Sequence, residues 1–170
     1  MKIEGTVTLH APRERVWHVL TTPEILIRCM PGCEKLEEAG EGEYEIVLTV
    51  GIAAVKGTYT GHIRLSDLTP PDHYRMDIDG KGKTGFVKGG GTIDLVEGDG
   101  MTTLTYQGDV AVGGTIASVG QRMIQGAAKL MVGQFFTALE AEAQAAEGTQ
   151  PRQGIAVNLL RGIKKKIDSS

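Results

Sequence analysis

The feature that most constrains this chain is a long stretch of strand-like alternation between Glu34 and Val112. Apolar and polar side chains alternate along it, which is typical of strands with one buried and one solvated face. Turns rich in glycine or proline divide the stretch at the spacing of hairpins, namely Gly40–Gly42, Pro70–Asp72 and Glu97–Gly100. The pattern therefore predicts an antiparallel meander.

Shorter elements precede this meander. Residues 2–10 also alternate and predict a first strand. Pro12 then suits the first turn of a short helix that runs to about Leu20, and Pro23 opens a second one that ends near Met30. Two short helices are thus expected between the first and second strands.

A single long helix is predicted after the meander, from Thr115 to about Glu147, where the apolar period becomes helical. Its predicted inner face recurs every three or four residues: Ile116, Val119, Met123, Ala127, Leu130, Gln134 and Ala138. A helix of this length reaches ~50 Å, enough to cross a whole sheet. The order predicts an α+β fold in which a curved antiparallel sheet of about seven strands surrounds the long C-terminal helix.

Glycine is unusually frequent, at 24 of 170 residues, compared with a usual share of ~7%. Five glycines fall on the predicted inward register of the strands: Gly57, Gly61, Gly89, Gly91 and Gly108. They indicate sharp bends in a strongly curled sheet, or missing side-chain volume that leaves a cavity against a glycine-containing helix. Both interpretations can hold together, and such a cavity would be mainly apolar.

The charge of the chain is divided unevenly. Residues 151–170 carry five basic residues and one acid, whereas the remaining chain carries a net charge of −7. An acidic body argues against nucleic acid as a partner, because it leaves no basic face. We expect a domain over 1–147, a linker over 148–154 and a basic amphipathic helix over 155–170.

The C-terminal segment has the pattern of a surface-binding helix. Such a helix would bind an anionic membrane surface or a partner protein, or fold back on its own domain. The residues that would bind a membrane are Ile155, Leu159, Leu160, Arg161, Ile163, Lys164, Lys165, Lys166 and Ile167. Each basic residue near an anionic surface contributes ~1 kcal/mol.

Signals for catalysis or metal binding are weak. His10, His18, His62 and His73 are scattered without a second ligand at metal spacing. Residues 82–84, Gly-Lys-Thr, lack the preceding glycine that a phosphate loop needs. The inward tyrosines are expected to be core residues with satisfied hydroxyl groups. No catalytic residue and no metal site is predicted.

Cys29 and Cys33 flank a Met-Pro-Gly turn. Packing of the two side chains beneath the short helices is the favoured interpretation, with Gly32 able to supply a positive φ. A redox pair or disulfide is the second possibility, and a metal clip the third. Neither an apolar leader nor a run of about 18 apolar residues is present, so we expect a cytoplasmic protein.

Taken together, these segments resemble the START-like (SRPBCC) superfamily and, more narrowly, the CoxG family of carbon monoxide dehydrogenase subunits. The resemblance is carried by Ala11–Glu37, Lys56–Leu65, Gly85–Leu95 and Gly113–Glu140. It implies a helix-grip fold with a deep apolar cavity between the sheet and the long helix. It also implies a non-catalytic accessory protein that tethers a molybdenum-containing dehydrogenase to the membrane and carries quinone.

We therefore expect an apolar small molecule in the cavity, most plausibly the isoprenoid quinone menaquinone. The expected partners are a molybdenum-containing carbon monoxide dehydrogenase or related hydroxylase and the inner face of the cell membrane. The predicted ligand-binding residues are Leu48, Val50, Tyr59, Met76, Val87, Tyr106, Val110, Met123, Ala127, Leu130 and Met131. The predicted cavity mouth comprises Ile52, Ala53, Val55, Phe86 and Ile116.

Two alternatives remain open on these grounds. A START-like enzyme such as a cyclase or hydrolase would need a polar pair inside the cavity, which the sequence does not place. A docking or maturation factor for the molybdenum enzyme would need no ligand at all, and its interior would be filled with side chains.

Overall fold

The computed structural model describes residues 1–149, with side chains up to residue 145. It confirms the predicted α+β architecture. The seven strands are β1 (Lys2–Leu9), β2 (Cys33–Gly40), β3 (Glu43–Val50), β4 (Gly57–Thr69), β5 (His73–Gly82), β6 (Gly85–Gly98) and β7 (Met101–Gly113). The helices are α1 (Arg13–Thr21), α2 (Pro23–Leu26) and α3 (Gln121–Thr149).

All seven strands form one antiparallel sheet in the order β1-β7-β6-β5-β4-β3-β2. The meander from β2 to β7 is therefore continuous, and β1 closes it by pairing with β7. The register places the predicted inner-face residues opposite one another, for example Tyr44 with Ile63, Ile63 with Ile78, and Ile93 with Tyr106. The alternation of apolar and polar residues thus predicts the correct face for each strand.

One end of the domain is a closed core. Leu9, Val16 and Leu104 are fully buried there, where α1 contacts β6 and β7. The hydroxyl of Thr102 donates a hydrogen bond to the backbone carbonyl of Ala11 at 2.7 Å, which satisfies a polar group in this apolar surrounding. The two short helices therefore seal this end of the sheet.

Most of the predicted inward glycines mark places where neighbouring strands approach closely. A β-carbon at Gly61 would collide with the backbone of Asp79, one at Gly89 with that of Asp109, and one at Gly91 with that of Gln107. No other residue fits such an approach without moving a strand. The bending interpretation therefore accounts for these glycines, and they do not face open space.

The beginning of the long helix differs from the prediction. Thr115–Val119 form a separate 3-10 turn, and Gly120, with a φ of 99°, separates it from α3. Because a 3-10 turn has about three residues per turn and Gly120 interrupts the helix, the helical phase starts anew at Gln121. The face predicted from Ile116 onward is consequently rotated away from the observed one.

The Met-Pro-Gly turn is the structural corner that the sequence indicated. Gly32 has a φ of 83°, and a β-carbon there would meet the backbone carbonyl of Thr49. Cys29 and Cys33 are free thiols, and Cys29 is fully buried at the end of a 3-10 turn. Burial raises the pKa of the Cys33 thiol. The packing interpretation fits Cys29 in particular.

Candidate functional site

The candidate site is the space between the inner face of the sheet and α3. Inner-face positions of the described strands β3 to β7, from Tyr44 to Val112, carry no charged side chain. Their side chains are aliphatic, methionine, tyrosine or absent at glycine. Such a surface has affinity for an apolar ligand with at most a few polar atoms.

Burial along this inner face changes from one end to the other. Near the closed end, Tyr74, Leu95 and Leu104 are buried. Farther along the same strands, Tyr106 and Val110 are only half-buried, although they lie on the same face. Large apolar side chains that remain half-exposed between a sheet and a helix indicate an interior that side chains do not fill.

The structure places most predicted ligand-binding residues on this inner face. Val50 and Ala127 are buried, and the others are half-buried: Leu48, Tyr59, Met76, Val87, Tyr106, Val110 and Met131. Their contact with a ligand remains a prediction, but their convergence on one apolar surface is a feature of the fold.

For two predicted ligand-binding residues, the predicted inward orientation on α3 is wrong. Met123 is 56% exposed and Leu130 is 50% exposed, on the side of α3 that faces away from the buried stripe. The residues that α3 directs inward instead include Ile124, Ala127, Ala128, Met131, Phe135 and Leu139. The error follows from phasing the helix at Ile116, across the 3-10 turn and Gly120.

An aromatic pair that the sequence analysis missed connects the helix to the sheet. The ring centroid of Phe136 lies 5.2 Å from that of Tyr106, at an interplanar angle of 36°. Gly5 on β1 makes room for this arrangement, since a β-carbon there would meet the ring and hydroxyl of Tyr106. The two adjacent phenylalanines at 135 and 136 were the sequence signal that could have indicated an aromatic contact between α3 and the sheet.

A second tyrosine stabilises the opposite part of the inner face. The hydroxyl of Tyr59 donates a hydrogen bond of 2.7 Å to the backbone carbonyl of Val55. This bond ties β4 to the 3-10 turn Ala53–Val55, which precedes it. The hydroxyl of Tyr59 is therefore engaged in structure, as expected for a tyrosine on an apolar face.

The predicted mouth residues come together at the end of the domain opposite α1. The backbone N–H of Ile116 donates to the carbonyl of Thr84 at 2.7 Å, which joins the 3-10 turn before α3 to the β5–β6 hairpin. The turn Ala53–Val55 lies beside the 3-10 turn Thr115–Val119. Ile116 is itself buried, whereas Phe86 is 47% exposed and lies on the outer side of β6, next to the inward Val87.

One inner-face glycine that the sequence analysis did not include has room for a β-carbon. Gly80 on β5 lies opposite Gly61 and Val87 in the sheet register. A β-carbon at Gly80 would have its nearest contact at 3.7 Å, to the backbone carbonyl of Thr60, which is an ordinary van der Waals distance. Space in the interior is therefore available beside Gly80.

The outer face of the sheet carries a groove of about 680 Å³, and its chemistry is different. Glu43, Arg64, Asp77 and Gly90 follow one another across four strands, and Arg64 forms an ion pair with Glu43 at 3.5 Å. Cross-strand pairs of opposite charge stabilise a sheet. This groove is a solvated ion-pair ladder and does not have the surface of an apolar ligand site.

Among residues 1–145, no group of three or more histidine, cysteine or acidic side chains is arranged to hold a metal ion. Two of the histidines form carboxylate pairs that are part of the scaffold, His10 with Glu140 and His73 with Asp94. Burial lowers the pKa of His18.

Within the described part of the chain, no helix combines the length and apolarity needed to cross a membrane. The predicted membrane-binding residues, from Ile155 to Ile167, lie outside the described residues, as does most of the predicted linker 148–154. Helix α3 is described as far as Thr149. The roles of linker and tail thus stay predictions.

Comparison with solved structures agrees with this architecture. A conserved protein from Geobacillus kaustophilus shares 42% sequence identity, with a TM-score of 0.83 and coverage of 85% of this chain and 96% of that one. The Zhui aromatase/cyclase from Streptomyces sp. R1128 shares 21% identity, with a TM-score of 0.61 and coverage of 85% and 93%. At that identity the similarity concerns the fold alone. A search of curated proteins gave no match.

A helix-grip fold of the START-like class, with an uncharged inner face on the sheet, is thus what this chain forms. The profile of the CoxG family of carbon monoxide dehydrogenase subunits matches residues 5–144. The chain therefore belongs to the CoxG family.

Proposed function

We propose that this protein is a non-catalytic carrier of an isoprenoid quinone, most plausibly menaquinone. It takes the quinone from the membrane into the space between sheet and α3. It then presents the quinone to a molybdenum-containing carbon monoxide dehydrogenase or a related hydroxylase. The protein works at the inner face of the cell membrane, in peripheral association with the bilayer.

The observation that supports this proposal most strongly is the incomplete burial of the inner face. Tyr106, Val110 and Val87 are half-buried although they lie between sheet and helix. Exposed apolar surface in an interior is costly in water, and a ligand that covers it gains ~25 cal/mol per Å² of apolar area. An isoprenoid chain offers such area along its whole length.

The chemistry of the lining fits a quinone. The inner-face positions of strands β3 to β7 carry no charge in the described structure, so an uncharged ring meets no uncompensated ion there. The hydroxyl of Tyr106, which lies over Gly5, is available to donate a hydrogen bond to a carbonyl oxygen. The hydroxyl of Tyr59 already donates to Val55 and contributes only its ring.

Membership of the CoxG family supports the identity of the partner, because the family is named for a component of carbon monoxide dehydrogenase. The basic tail supports peripheral membrane association. Its five basic residues between 151 and 170 would each gain ~1 kcal/mol near an anionic surface. Flotation of anionic vesicles with and without Pro151–Ser170 tests the tail, and equal binding would exclude its role.

Transfer of menaquinone from vesicles to the full-length protein tests the carrier function. After incubation, the vesicles are removed by flotation and the quinone that remains with the protein is extracted and quantified. The variant Gly80→Leu places a branched side chain in the interior without a backbone collision at its β-carbon. We expect it to carry at least tenfold less quinone than the wild type.

The matched control is Gly98→Leu, which adds the same side chain at the β6–β7 hairpin, where nothing lies within 4 Å of an added β-carbon. It should carry quinone like the wild type. If the wild type and both variants carry it equally well, the placement of the quinone beside Gly80 is refuted. If the wild type takes up no quinone, the carrier function is refuted. Binding of the purified dehydrogenase by a quinone-free protein would then favour a docking factor.

A further inference from the structure

Three large apolar side chains are exposed on segments that meet at one end of the domain. Phe86 is 47% exposed, Val119 is 40% exposed and Met123 is 56% exposed. Phe86 belongs to the start of β6, and the other two belong to the 3-10 turn and the first turn of α3. Exposed apolar side chains that cluster at one site indicate an interaction surface.

The backbone brings these segments together. A β-carbon at Gly113 would meet the ring of Phe86, and one at Gly85 would meet the backbone of Gly113. The N–H of Ile116 donates to Thr84 in the same hairpin. The ring of Phe86 therefore lies over the end of β7, on the outer side of β6, and the segment that leads to Val119 joins the same hairpin at this end of the domain.

The charged side chains on the segments that meet at this end are basic in the described part of the chain. Lys56, Lys83 and Arg122 are exposed, and none of them takes part in a salt bridge between described side chains. Residues 46–66, 80–93 and 110–139 contain neither aspartate nor glutamate. In a body whose net charge is −7, this separation of charge needs a functional reason.

The other end of β6 shows the contrast. Val96 is 65% exposed, and its neighbours in the hairpin are Glu97 and Asp99. Ten residues separate it from Phe86, which is about 30 Å along an extended strand. The same strand therefore ends in an apolar and basic surface at the mouth and in an apolar and acidic surface at the closed end.

We propose that the mouth itself binds an anionic lipid bilayer. Phe86, Val119 and Met123 enter the interfacial region, and Lys56, Lys83 and Arg122 contact the headgroups, so that the cavity opens onto the lipid. These six residues are called the mouth rim below. The inference rests on the proposed function for its purpose, but it concerns a surface other than the C-terminal tail. Apolar side chains ringed by cations match what anionic bilayers bind.

Co-flotation with vesicles of phosphatidylglycerol and phosphatidylcholine tests the mouth rim in the full-length protein. To isolate its contribution, all proteins carry Lys164→Ser, Lys165→Ser and Lys166→Ser in the tail. We expect this parent protein to bind the mixed vesicles and to bind pure phosphatidylcholine vesicles more weakly. Adding Phe86→Ser and Met123→Ser should lower the partition coefficient about tenfold or more.

The matched control adds Leu68→Ser and Val96→Ser, which remove two exposed apolar side chains away from the rim. It should bind as the parent does. Lys83→Glu should weaken binding to the mixed vesicles about tenfold and have little effect on neutral ones. Circular dichroism of each variant confirms that it is folded.

Two results would overturn the proposal: a parent protein that does not bind the mixed vesicles, or rim and control variants that bind equally. Loss of binding to a purified dehydrogenase, with vesicle binding intact, would assign the surface to a protein partner instead. Uptake of a short-chain menaquinone from detergent, without vesicles, is measured in parallel. If uptake fails but the rim binds lipid, the carrier function is wrong and the rim inference stands.

Discussion

Glu140 on α3 accepts two hydrogen bonds from His10, at the end of β1, through one carboxylate oxygen. The backbone N–H of His10 donates at 2.7 Å and its Nδ1 donates at 2.8 Å. Both bonds lower the pKa of the Glu140 carboxyl group below its ordinary value, the backbone bond being the larger cause. This contact fastens the helix to the strand at the closed end of the domain.

The first prediction concerns the pH dependence of this contact. A carboxylate with a lowered pKa stabilises the folded state above its unfolded pKa, and this contribution is lost as the pH falls through the folded pKa. Glu140→Gln should therefore lower the free energy of unfolding at pH 7, by less than about 1 kcal/mol because both side chains are partly exposed to solvent. Urea unfolding should show the difference from wild type shrinking below pH 4.5.

Glu4→Gln is the control for this measurement, since Glu4 is an exposed carboxylate on β1. This substitution should change the free energy of unfolding by close to zero, both at pH 7 and below pH 4.5. A difference between wild type and Glu140→Gln that persists unchanged at low pH would contradict the assignment, because protonated Glu140 no longer carries the charge that the two donors stabilise.

The second prediction concerns the glycines that bend the sheet. Gly91→Ala should destabilise the fold by several kcal/mol, because its β-carbon would collide with the backbone of Gln107. Gly126→Ala in α3 should instead stabilise it by up to about 1 kcal/mol, since no atom lies within 4 Å of an added β-carbon. Thermal unfolding of both variants measures the contrast. Equal effects would show that the sheet can relax at residue 91.

Most of the sheet was predictable from the sequence because the alternation that defines each strand involves only neighbouring residues. The alternation around residues such as Tyr44, Ile63 and Ile93 fixes which side chain faces inward, and the register confirms it. The positive φ of Gly32 was also predictable, because a proline-glycine turn at the end of a helix has few other conformations.

What the sequence could not predict depends on distances between segments. Gly61 and Gly80 lie opposite each other and look alike in the alternation, but of the two only Gly80 has room for a β-carbon. The phase of α3 depends on the 3-10 turn before Gly120, which a helical period does not reveal. The contact between Tyr106 and Phe136 joins residues that are remote in the sequence.

The third prediction concerns Tyr74, which is buried and lies with its ring 5.6 Å from that of Trp17. Burial, followed by the influence of Tyr44, raises the pKa of its phenol above the ordinary value of 10. Unfolding then releases a proton above pH 10, so the free energy of unfolding should fall as the pH rises beyond that value. The fall should be smaller in Tyr74→Phe than in wild type, as measured by urea unfolding between pH 9 and 11. A fall of equal slope in both proteins would contradict the assignment of this behaviour to Tyr74.

The fourth prediction tests which face of α3 is directed inward. A thiol reacts at a rate that follows its exposure and the thiolate fraction, so cysteine substitution reports the orientation residue by residue. In a background with Cys33→Ser, Met123→Cys should react with a water-soluble maleimide at least tenfold faster than Met131→Cys, because Met123 is exposed and Met131 is half-buried. The buried Cys29 provides the unreactive reference within each protein.

Similar rates at 123 and 131 would mean that the helix is rotated from the orientation described, and would restore Met123 as a ligand-binding residue. If bound menaquinone slows the reaction at 131 and leaves that at 123 unchanged, the same experiment places the quinone against the inward face of α3.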